Sequence, residues 1–495
     1  MKKIIFLLII SVATTCFYIG AVPIQTSKLP LVPLPLEVNS TQLYFPIAKE
    51  IQLEADNNTK WSKQAAIRLL QDLGVGSENG AVKLQLKLST SSEFAVAGYR
   101  LSIDKNILIE ANSDKGLFYG VQTLKQIFNY ALQSKLGLPK LVINDQPRYE
   151  WRGSMIDVAR HFRSMQYLKA HIERMAHYKL NKLHLHLSDD QGWRMEIKAY
   201  PKLTEIGAST AVFGDPGGFY SQAELKELVA FATQRFVEIV PEIEMPGHVQ
   251  AVLASYPELA CDGDNTTMQT SFATGYSALC SEKSNLVDQF VSKVLTEVAE
   301  VFPSSVLHIG GEEVDVANYA EFIQKVDRVL ADNGKTLMGW EEVAEAKTRE
   351  GSYLQFWQKK APIDQASLAG KKIVLSPCLY TYLDHGNYAG QSETLNWCRS
   401  SGVPLKQVYS FSPADYEGNV VGIEAPLWSE WVRSDAMADN RLWPRLMAVA
   451  ELAWTAETLK IYQQFTHRAM AHRAQLDRFS IHYYPEKDLN WDHND

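Results

Sequence analysis

The first part of the chain contains short runs in which apolar and polar residues alternate, a pattern typical of half-buried strands. Val82–Leu88 alternates strictly, and Tyr99–Ile103 and residues 107–109 follow as a hairpin-like pair of strands. Residues 115–132 then carry apolar side chains at helical spacing, with Ser113 placed to cap the helix. These elements predict a small α+β domain over residues 23–147, and nothing in this domain indicates catalysis.

From residue 148 the pattern changes to short apolar runs that alternate with amphipathic helical stretches such as residues 165–178, 222–233 and 286–301. Strands that alternate with helices favour a parallel sheet, and eight of them close naturally into a barrel. We therefore predict an α/β fold, a (β/α)8 TIM barrel, over residues 148–480, followed by a C-terminal tail at residues 481–495. The predicted strands are 154–158, 182–187, 236–243, 306–309, 336–339, 353–356, 372–375 and 420–425.

Uncommon polar and aromatic side chains follow almost every predicted barrel strand. The carboxyl ends of all the strands of a TIM barrel open at one mouth, so these side chains are expected to converge there in a single site. The residues concerned are Asp157, Arg160, Asp189, Asp190, Trp193, Glu244, His248, Glu312, Glu313, Trp340, Glu341, Trp357, Tyr382, Asp384, Trp428 and Glu430.

The adjacent carboxylates Glu312 and Glu313 stand where a predicted strand opens at this mouth. Because they repel each other and are partly desolvated, at least one should have a raised pKa and could act as a general acid. Gly310 and Gly311 before them let the backbone turn and approach a ligand closely.

An acidic pocket lined by several Trp side chains indicates a carbohydrate ligand. Sugar rings stack their C–H faces on aromatic rings, and their hydroxyls need fixed acceptors and donors such as carboxylates and an Arg. The chain carries 49 Lys and Arg against 57 Asp and Glu, a net charge of −8. Because no basic run accompanies this balance after the amino-terminal segment, a nucleic-acid or anionic-membrane surface is disfavoured.

Residues 1–22 have the pattern of a secretory signal peptide. Lys2 and Lys3 precede a nearly continuous apolar run, and small residues follow it before Pro23. Export to the periplasm or the medium is the expectation, with an uncleaved membrane anchor as the alternative. A lipid anchor at Cys16 fits poorly with Thr15 before it, and no other segment is long and apolar enough to span a bilayer.

Four cysteines remain after Cys16, and an even number in an exported chain makes disulfides plausible. Cys261 with Cys280, and Cys378 with Cys398, would each close a short loop. For Cys378 the alternative is a buried free thiol at a strand end. Neither pair has the tight spacing of a zinc or redox site.

Three long motifs resemble glycoside hydrolase family 20, the β-N-acetylhexosaminidases. They are RGSMIDVARHF at residues 152–162, KLNKLHLHLSDDQGWR at residues 179–194 and PEIEMPGH at residues 241–248. The resemblance covers about residues 23–480. It implies an exo-acting, retaining enzyme in which the 2-acetamido group of the substrate attacks the anomeric carbon and forms an oxazolinium intermediate, an exception to the two-carboxylate scheme.

The resemblance also implies a role for each matching side chain. Glu313 would be the general acid and then the base, Glu312 would polarise the acetamide N–H, and Tyr382 would hydrogen-bond the acetamide oxygen. Asp189 and His248 would support Glu313. The substrate-binding side chains would be Trp340, Trp357 and Trp428 as walls, with Arg160, Asp384 and Glu430 for the polar groups of the sugar. Neither a metal nor another cofactor is expected, and the expected partners are oligosaccharides or glycoconjugates that end in N-acetylhexosamine.

One position departs from the family pattern, because Glu312 stands where the family has Asp. The extra methylene moves the carboxylate by about 1.5 Å if nothing else shifts, and a misplacement of about 1 Å can cost about 100-fold in rate. A catalytically weak or inert sugar-binding protein is therefore one alternative. A second alternative is a metal-dependent barrel hydrolase, because His184 and His186 on one predicted strand point the same way.

Overall fold

The computed structural model of the protein describes residues 29–491, apart from residues 77–79, 92–93, 262–266, 274–276 and 359–367. The predicted signal peptide, with Cys16, and the last four residues of the predicted tail lie outside this range. Within the described ranges no helix is both long enough and apolar enough to cross a membrane.

A six-stranded mixed sheet forms the amino-terminal part of the molecule, in the order β1-β6-β4-β5-β3-β2. Two helices, α1 (Lys60–Asp72) and α2 (Asp114–Ser134), accompany it, and α2 packs on β4 and β5. The hydroxyl of Ser113 accepts a hydrogen bond from the Gly116 amide at 3.1 Å, which confirms the predicted cap. The strands are β1 (Glu37–Phe45), β2 (Ile51–Ala55), β3 (Val82–Leu88), β4 (Tyr99–Ile103), β5 (Ile107–Ala111) and β6 (Leu138–Asp145).

The second part of the chain is a closed barrel of eight parallel strands, as predicted. Each predicted strand overlaps an observed one, and the bounds differ by at most a few residues. Every residue of the first strand is buried, because the barrel interior covers one face and the helices cover the other. The barrel strands are β7 (Trp151–Asp157), β8 (Lys182–His186), β11 (Glu238–Glu242), β12 (Val306–His308), β13 (Thr336–Trp340), β14 (Tyr353–Phe356), β15 (Lys372–Leu375) and β16 (Val420–Leu427), and a small ribbon, β9 (Ser188–Asp189) with β10 (Gly192–Trp193), follows β8.

Helices surround the barrel, and serine caps fix where several of them begin. The hydroxyl of Ser164 accepts from the Tyr167 amide, and Ser221 with Glu224 forms a complete capping box. The α-helices of this part are Met165–His177, Lys202–Glu205, Gln222–Thr233, Gln250–Ser255, Ser284–Val301, Tyr319–Asp332, Cys378–Thr381, Leu405–Tyr409, Asp435–Leu442, Arg445–Trp454, Tyr462–Met470 and Arg473–Arg478.

The barrel interior changes character along its axis. A cluster of apolar side chains that includes Trp151, Val240, Val306 and Val374 fills one part of it. Toward the carboxyl ends of the strands the interior side chains become charged and polar, among them His186 and Glu242. The apolar layer closes the barrel on one side, so the polar layer lies between it and the mouth.

Both cysteine pairs form disulfides. Cys261 is bonded to Cys280 and Cys378 to Cys398, so the alternative of a free thiol at Cys378 is wrong. The second bond ties the start of a short helix to a loop that carries Trp397.

A buried ion pair joins the sheet to the barrel. The ammonium group of Lys179 donates to Asp145 Oδ2 at 2.9 Å, and both side chains are almost fully buried. The same carboxylate accepts from the Tyr99 hydroxyl at 2.6 Å and, through Oδ1, from the indole of Trp454 at 2.9 Å. Nearby, the guanidinium of Arg152 donates to the Tyr119 hydroxyl at 2.8 Å.

Replacement of the buried carboxylate in Asp145→Ala should lower the free energy of unfolding by about 3–5 kcal/mol, because it leaves the Lys179 charge buried without an opposite charge. Urea denaturation of the full chain measures this loss. The matched control is Asp104→Ala, which breaks the exposed pair with Lys140 at 2.8 Å and should cost less than about 1 kcal/mol. Equal losses for the two variants would contradict the interpretation.

Candidate active site

One cavity at the mouth of the barrel collects every residue to which the family resemblance gives a role, except Asp189. Of the wider set expected to converge there, five more side chains do not line the cavity: Asp157, Asp190, Trp193, Glu244 and Glu341. Its walls come from the carboxyl ends of seven of the eight barrel strands and the segments that follow them, which is the convergence expected of this fold. Three further residues that the sequence did not single out also line it: Phe272, Leu395 and Trp397. The full lining consists of Arg160, His248, Phe272, Glu312, Glu313, Trp340, Trp357, Tyr382, Asp384, Leu395, Trp397, Trp428 and Glu430.

Aromatic rings form the apolar walls of the cavity. The ring centroids of Trp340 and Trp428 are 5.8 Å apart, and those of Trp357 and Trp397 are 5.7 Å apart. The ring of Tyr382 lies 6.4 Å from Trp428. Burial raises the pKa of Tyr382 well above its ordinary value, so its hydroxyl stays protonated and can donate a hydrogen bond.

Arg160 supplies the positive charge of the cavity. Its guanidinium contacts Asp189 Oδ2 at 2.7 Å and lies 4.9 Å from the centroid of the Trp428 ring. Burial opposes the charge, but Asp189 and Asp157 raise the pKa of Arg160 above its ordinary value. A buried guanidinium held in this way has its remaining N–H groups available for polar groups of a ligand.

Two further carboxyl groups line the cavity near Arg160. Burial raises the pKa of Glu430 to about 7, although Arg160 opposes the shift. Asp384 Oδ2 lies 3.1 Å from His385 Nδ1, and Asp384 Oδ1 has no protein partner among the described residues. Both side chains therefore offer acceptors to a ligand hydroxyl.

Glu312 and Glu313 differ in environment although they are adjacent. Burial raises the pKa of Glu312 to about 8, and its Oε2 has no partner in the described part of the chain. The Glu313 side chain is 43% exposed, and its interaction with His248, whose Nε2 lies 3.5 Å from Glu313 Oε2, lowers its pKa. The expected raised pKa thus falls on Glu312 and not on Glu313, the residue predicted to be the acid.

Backbone conformation separates the two carboxylates. Gly310, Gly311 and Glu313 have φ angles of 65°, 99° and 49°, in the left-handed region. A non-glycine residue in this region is strained, and such strain is found preferentially at functional sites. This turn directs Glu313 toward His248 while Glu312 stays buried.

Asp189 lies beneath the cavity and not in its wall. Its Oδ1 lies 3.3 Å from His248 Nδ1 and its Oδ2 lies 2.8 Å from His186 Nε2. Although burial opposes protonation, Asp189 raises the pKa of His248 well above its ordinary value. Asp189 therefore reaches Glu313 only through His248, in a supporting position.

His184 and His186 suggested the alternative of a metal-dependent hydrolase, and both rings have carboxylates as neighbours. His184 Nδ1 lies 2.8 Å from Glu424 Oε1, and His186 has Glu242 on one ring nitrogen and Asp189 on the other. Both rings are buried below the cavity, so neither lines it.

The arrangement combines chemical groups that suit a sugar. Flat aromatic walls match the C–H faces of a ring, buried charges match its hydroxyls, and an exposed carboxylate next to an imidazole can transfer a proton. The cavity therefore fits hydrolysis of a glycosidic bond.

Comparisons with known proteins agree with this chemistry. Residues 149–321 and 315–457 match the family model "Glycosyl hydrolase family 20, catalytic domain", and residues 28–146 match "Glycosyl hydrolase family 20, domain 2". A β-N-acetylhexosaminidase of Cellulomonas fimi is 36% identical over 428 residues, which cover 84% of this chain and 86% of that protein.

Solved structures of the same family superpose on most of the chain. The GH20 β-N-acetylhexosaminidase of Streptomyces coelicolor A3(2) has a TM-score of 0.85 and 33% identity, covering 94% of this chain and 99% of that chain. The N-acetyl-β-hexosaminidase of Streptomyces plicatus, solved in complex with Thio-NAglucal, has a TM-score of 0.84 and 34% identity, covering 94% and 98%.

The turn before the two carboxylates is expected to tolerate no side chain at residue 310. A Cβ atom at Gly310 would lie 1.8 Å from Glu244 Oε2, so Gly310→Ala should reduce hydrolytic activity by about 100-fold through displacement of Glu312 and Glu313. Gly334→Ala is the control, because Gly334 has a similar φ of 69° with no atom within 4 Å of the added Cβ. It should show only backbone strain of about 1 kcal/mol in thermal unfolding, and comparable activity losses would refute the steric explanation.

Proposed function

The chain belongs to glycosyl hydrolase family 20 and is a glycoside hydrolase, and from this premise we propose that it is an exo-acting, retaining β-N-acetylhexosaminidase. It would release terminal N-acetylglucosamine or N-acetylgalactosamine by substrate-assisted catalysis. The observation that carries the proposal is the grouping of Glu312, Glu313 and Tyr382 with four indole side chains in one cavity.

Glu313 is the proposed acid and base. In the first step the acetamide oxygen forms a bond to the anomeric carbon while Glu313 gives a proton to the departing glycosidic oxygen. In the second step Glu313 takes a proton from water while the water oxygen bonds to the anomeric carbon. The bond from that carbon to the acetamide oxygen breaks, so the acetamide is restored and the configuration is retained. The exposed fraction of the Glu313 side chain, 43%, supports the role, because the group must reach both the leaving group and water.

The lowered pKa of Glu313 requires a source for the proton it donates. His248 lies 3.5 Å from Glu313 and has a raised pKa, so the pair carries a proton between them near neutral pH. A bound sugar excludes water from the cavity. Without water, the ionised pair of Glu313 and His248 becomes less favourable than the neutral pair, in which Glu313 carries the proton. Asp189 on the far side of His248 supports this arrangement.

The acetamide group would lie against Glu312 and Tyr382. Glu312 would accept a hydrogen bond from the acetamide N–H, and the protonated hydroxyl of Tyr382 would donate one to the acetamide oxygen. These two bonds aim the oxygen at the anomeric carbon, which makes the attack effectively unimolecular. Trp340, Trp357 and Trp428 would enclose the acetamide and the ring.

Sugar hydroxyls would bind at the opposite side of the cavity. Arg160 and Glu430 are the proposed partners of the ring hydroxyls farthest from the scissile bond, with Asp384 as a further acceptor. The Arg160 side chain is almost fully buried, so a sugar hydroxyl bound to it would face the interior of the protein, which supports exo action.

The proposed substrates are oligosaccharides or glycoconjugates that end in N-acetylhexosamine. We also propose that the protein is exported. Two disulfides support an oxidising compartment, as does the signal-like pattern of residues 1–22.

Turnover of aryl N-acetyl-β-glucosaminide and aryl N-acetyl-β-galactosaminide tests the proposal, with Glu313→Gln as the matched blank. We expect the natural chain to release phenol from at least one substrate and the variant to be slower by about 100-fold or more. Tight inhibition by a thiazoline mimic of the oxazolinium is expected in addition. Binding of N-acetylglucosamine without any product over a long incubation would instead support the inert sugar-binding alternative.

Glu312 stands where the family pattern has Asp, and this difference leads to a separate prediction. Glu312→Asp should raise the rate constant on an aryl N-acetyl-β-glucosaminide, because the shorter side chain restores the family's reach to the acetamide N–H. The gain could approach 100-fold if the carboxylate is misplaced by about 1 Å in the natural chain. The measurement is kcat, with Glu345→Asp, an exposed carboxylate outside the cavity lining, as the control. An unchanged or lower rate for Glu312→Asp would show that the pocket is already adjusted to Glu.

A further inference from the structure

Glu242 lies at the centre of a buried polar cluster directly beneath the cavity. It ends strand β11, and its carboxylate is fully buried. Its Oε1 accepts from the Trp340 indole at 3.0 Å, and its Oε2 contacts His186 Nδ1 and lies 3.1 Å from His184 Nε2. His308 Nδ1 also lies 2.8 Å from Oε1, so one carboxylate touches a wall of the cavity and three imidazoles.

A continuous path leads from this carboxylate to Glu313. His186 Nε2 lies 2.8 Å from Asp189, Asp189 lies 3.3 Å from His248, and His248 lies 3.5 Å from Glu313. Acidic and imidazole side chains alternate along the whole path. Its members other than Glu313 are buried, so water screens their interactions weakly.

The charges along the path depend on one another. Burial opposes charge on His186, yet Glu242 and Asp189 raise its pKa to about 10. Burial also opposes charge on Glu242, yet His308, His186 and His184 lower its pKa well below the ordinary value. The charged and titratable groups around Glu242 are His184 and His186 from β8, His308 from β12, Glu244 on its own segment and Glu312 from the following turn.

Packing alone does not account for a carboxylate at this position. The same barrel fills its interior with Val240, Val306 and Val374 in the apolar layer. A buried ionic group is on average no more stabilising than well-packed apolar side chains, so its presence next to the site indicates a role in the reaction.

We propose that Glu242 is a positioning residue for proton transfer by Glu313. It fixes the orientation and charge of His186 and, through Asp189 and His248, the geometry of Glu313, while its second oxygen holds the Trp340 wall. This inference rests on the proposed function of the cavity as a β-N-acetylhexosaminidase site.

A comparison of leaving groups tests the inference. A 2,4-dinitrophenyl group departs without help from an acid, whereas a phenyl group needs the proton of Glu313. In Glu242→Gln, kcat/KM on phenyl N-acetyl-β-glucosaminide should therefore fall about 10-fold to 100-fold further than kcat/KM on the dinitrophenyl substrate. A general loss of structure would slow both substrates equally.

Glu424→Gln is the matched control. Glu424 is a second buried carboxylate in the barrel, with bonds from Trp151 Nε1 at 2.8 Å, His184 Nδ1 at 2.8 Å and Gln355 Nε2 at 2.9 Å. It contacts neither His186 nor Trp340 in these bonds, so its variant should affect the two substrates alike. The inference is overturned if Glu242→Gln is equally slow on both substrates or if Glu424→Gln shows the same bias.

A second variant and the activity of the natural chain distinguish misfolding, failure of the proposed function and failure of the role of Glu242. If Glu242→Gln does not fold, as judged by circular dichroism, His186→Gln breaks the path at the next residue and must show the same leaving-group bias. If the natural chain hydrolyses neither of these glucosaminides nor the corresponding galactosaminides, the proposed function fails. If the natural chain hydrolyses both glucosaminides while the variants show no bias, only the role of Glu242 fails.

Discussion

Compensation of charge in the barrel interior is the constraint on which the site depends. A carboxylate or imidazolium removed from water costs several kcal/mol unless partners satisfy it. Here the partners are one another, since His184 and His186 contact Glu424, Glu242 and Asp189. Each contact also fixes a side chain, so rings and carboxylates at the floor of the cavity are held before any ligand arrives.

Much of the fold follows from the sequence because barrel strands are buried on both faces. Tyr353–Phe356 and Lys372–Leu375 stand out as apolar runs between polar segments, and their predicted bounds match the observed ones. The strand Glu37–Phe45 was not predicted, because it lies at a sheet edge, mostly exposed, and has little apolar alternation. Pairing with β6 defines it, and this information comes from distant residues.

The candidate site was predictable where the topology determines the position of a residue. Side chains at the carboxyl ends of barrel strands or directly after them, such as Trp340 and Trp428, converge because the strands do. Phe272 and Trp397 also line the cavity, but they lie on long loops where no periodicity marks them. The sequence also predicted a raised pKa in the Glu312 and Glu313 pair without indicating which residue has it. The answer depends on the left-handed turn at Glu313, which is a property of the folded backbone.

The contact between Asp145 and Lys179 limits which amino-terminal sheet can be combined with this barrel. A barrel separated from its sheet would keep the cations of Lys179 and Arg152 and lose Asp145, Tyr99 and Tyr119, with which they now bond. An exchange of the sheet for that of a relative would have to bring an acid and a tyrosine to the same places. Without the sheet, two buried cations of the barrel part would lose these partners, so the sheet has a structural role although none of its described residues lines the cavity.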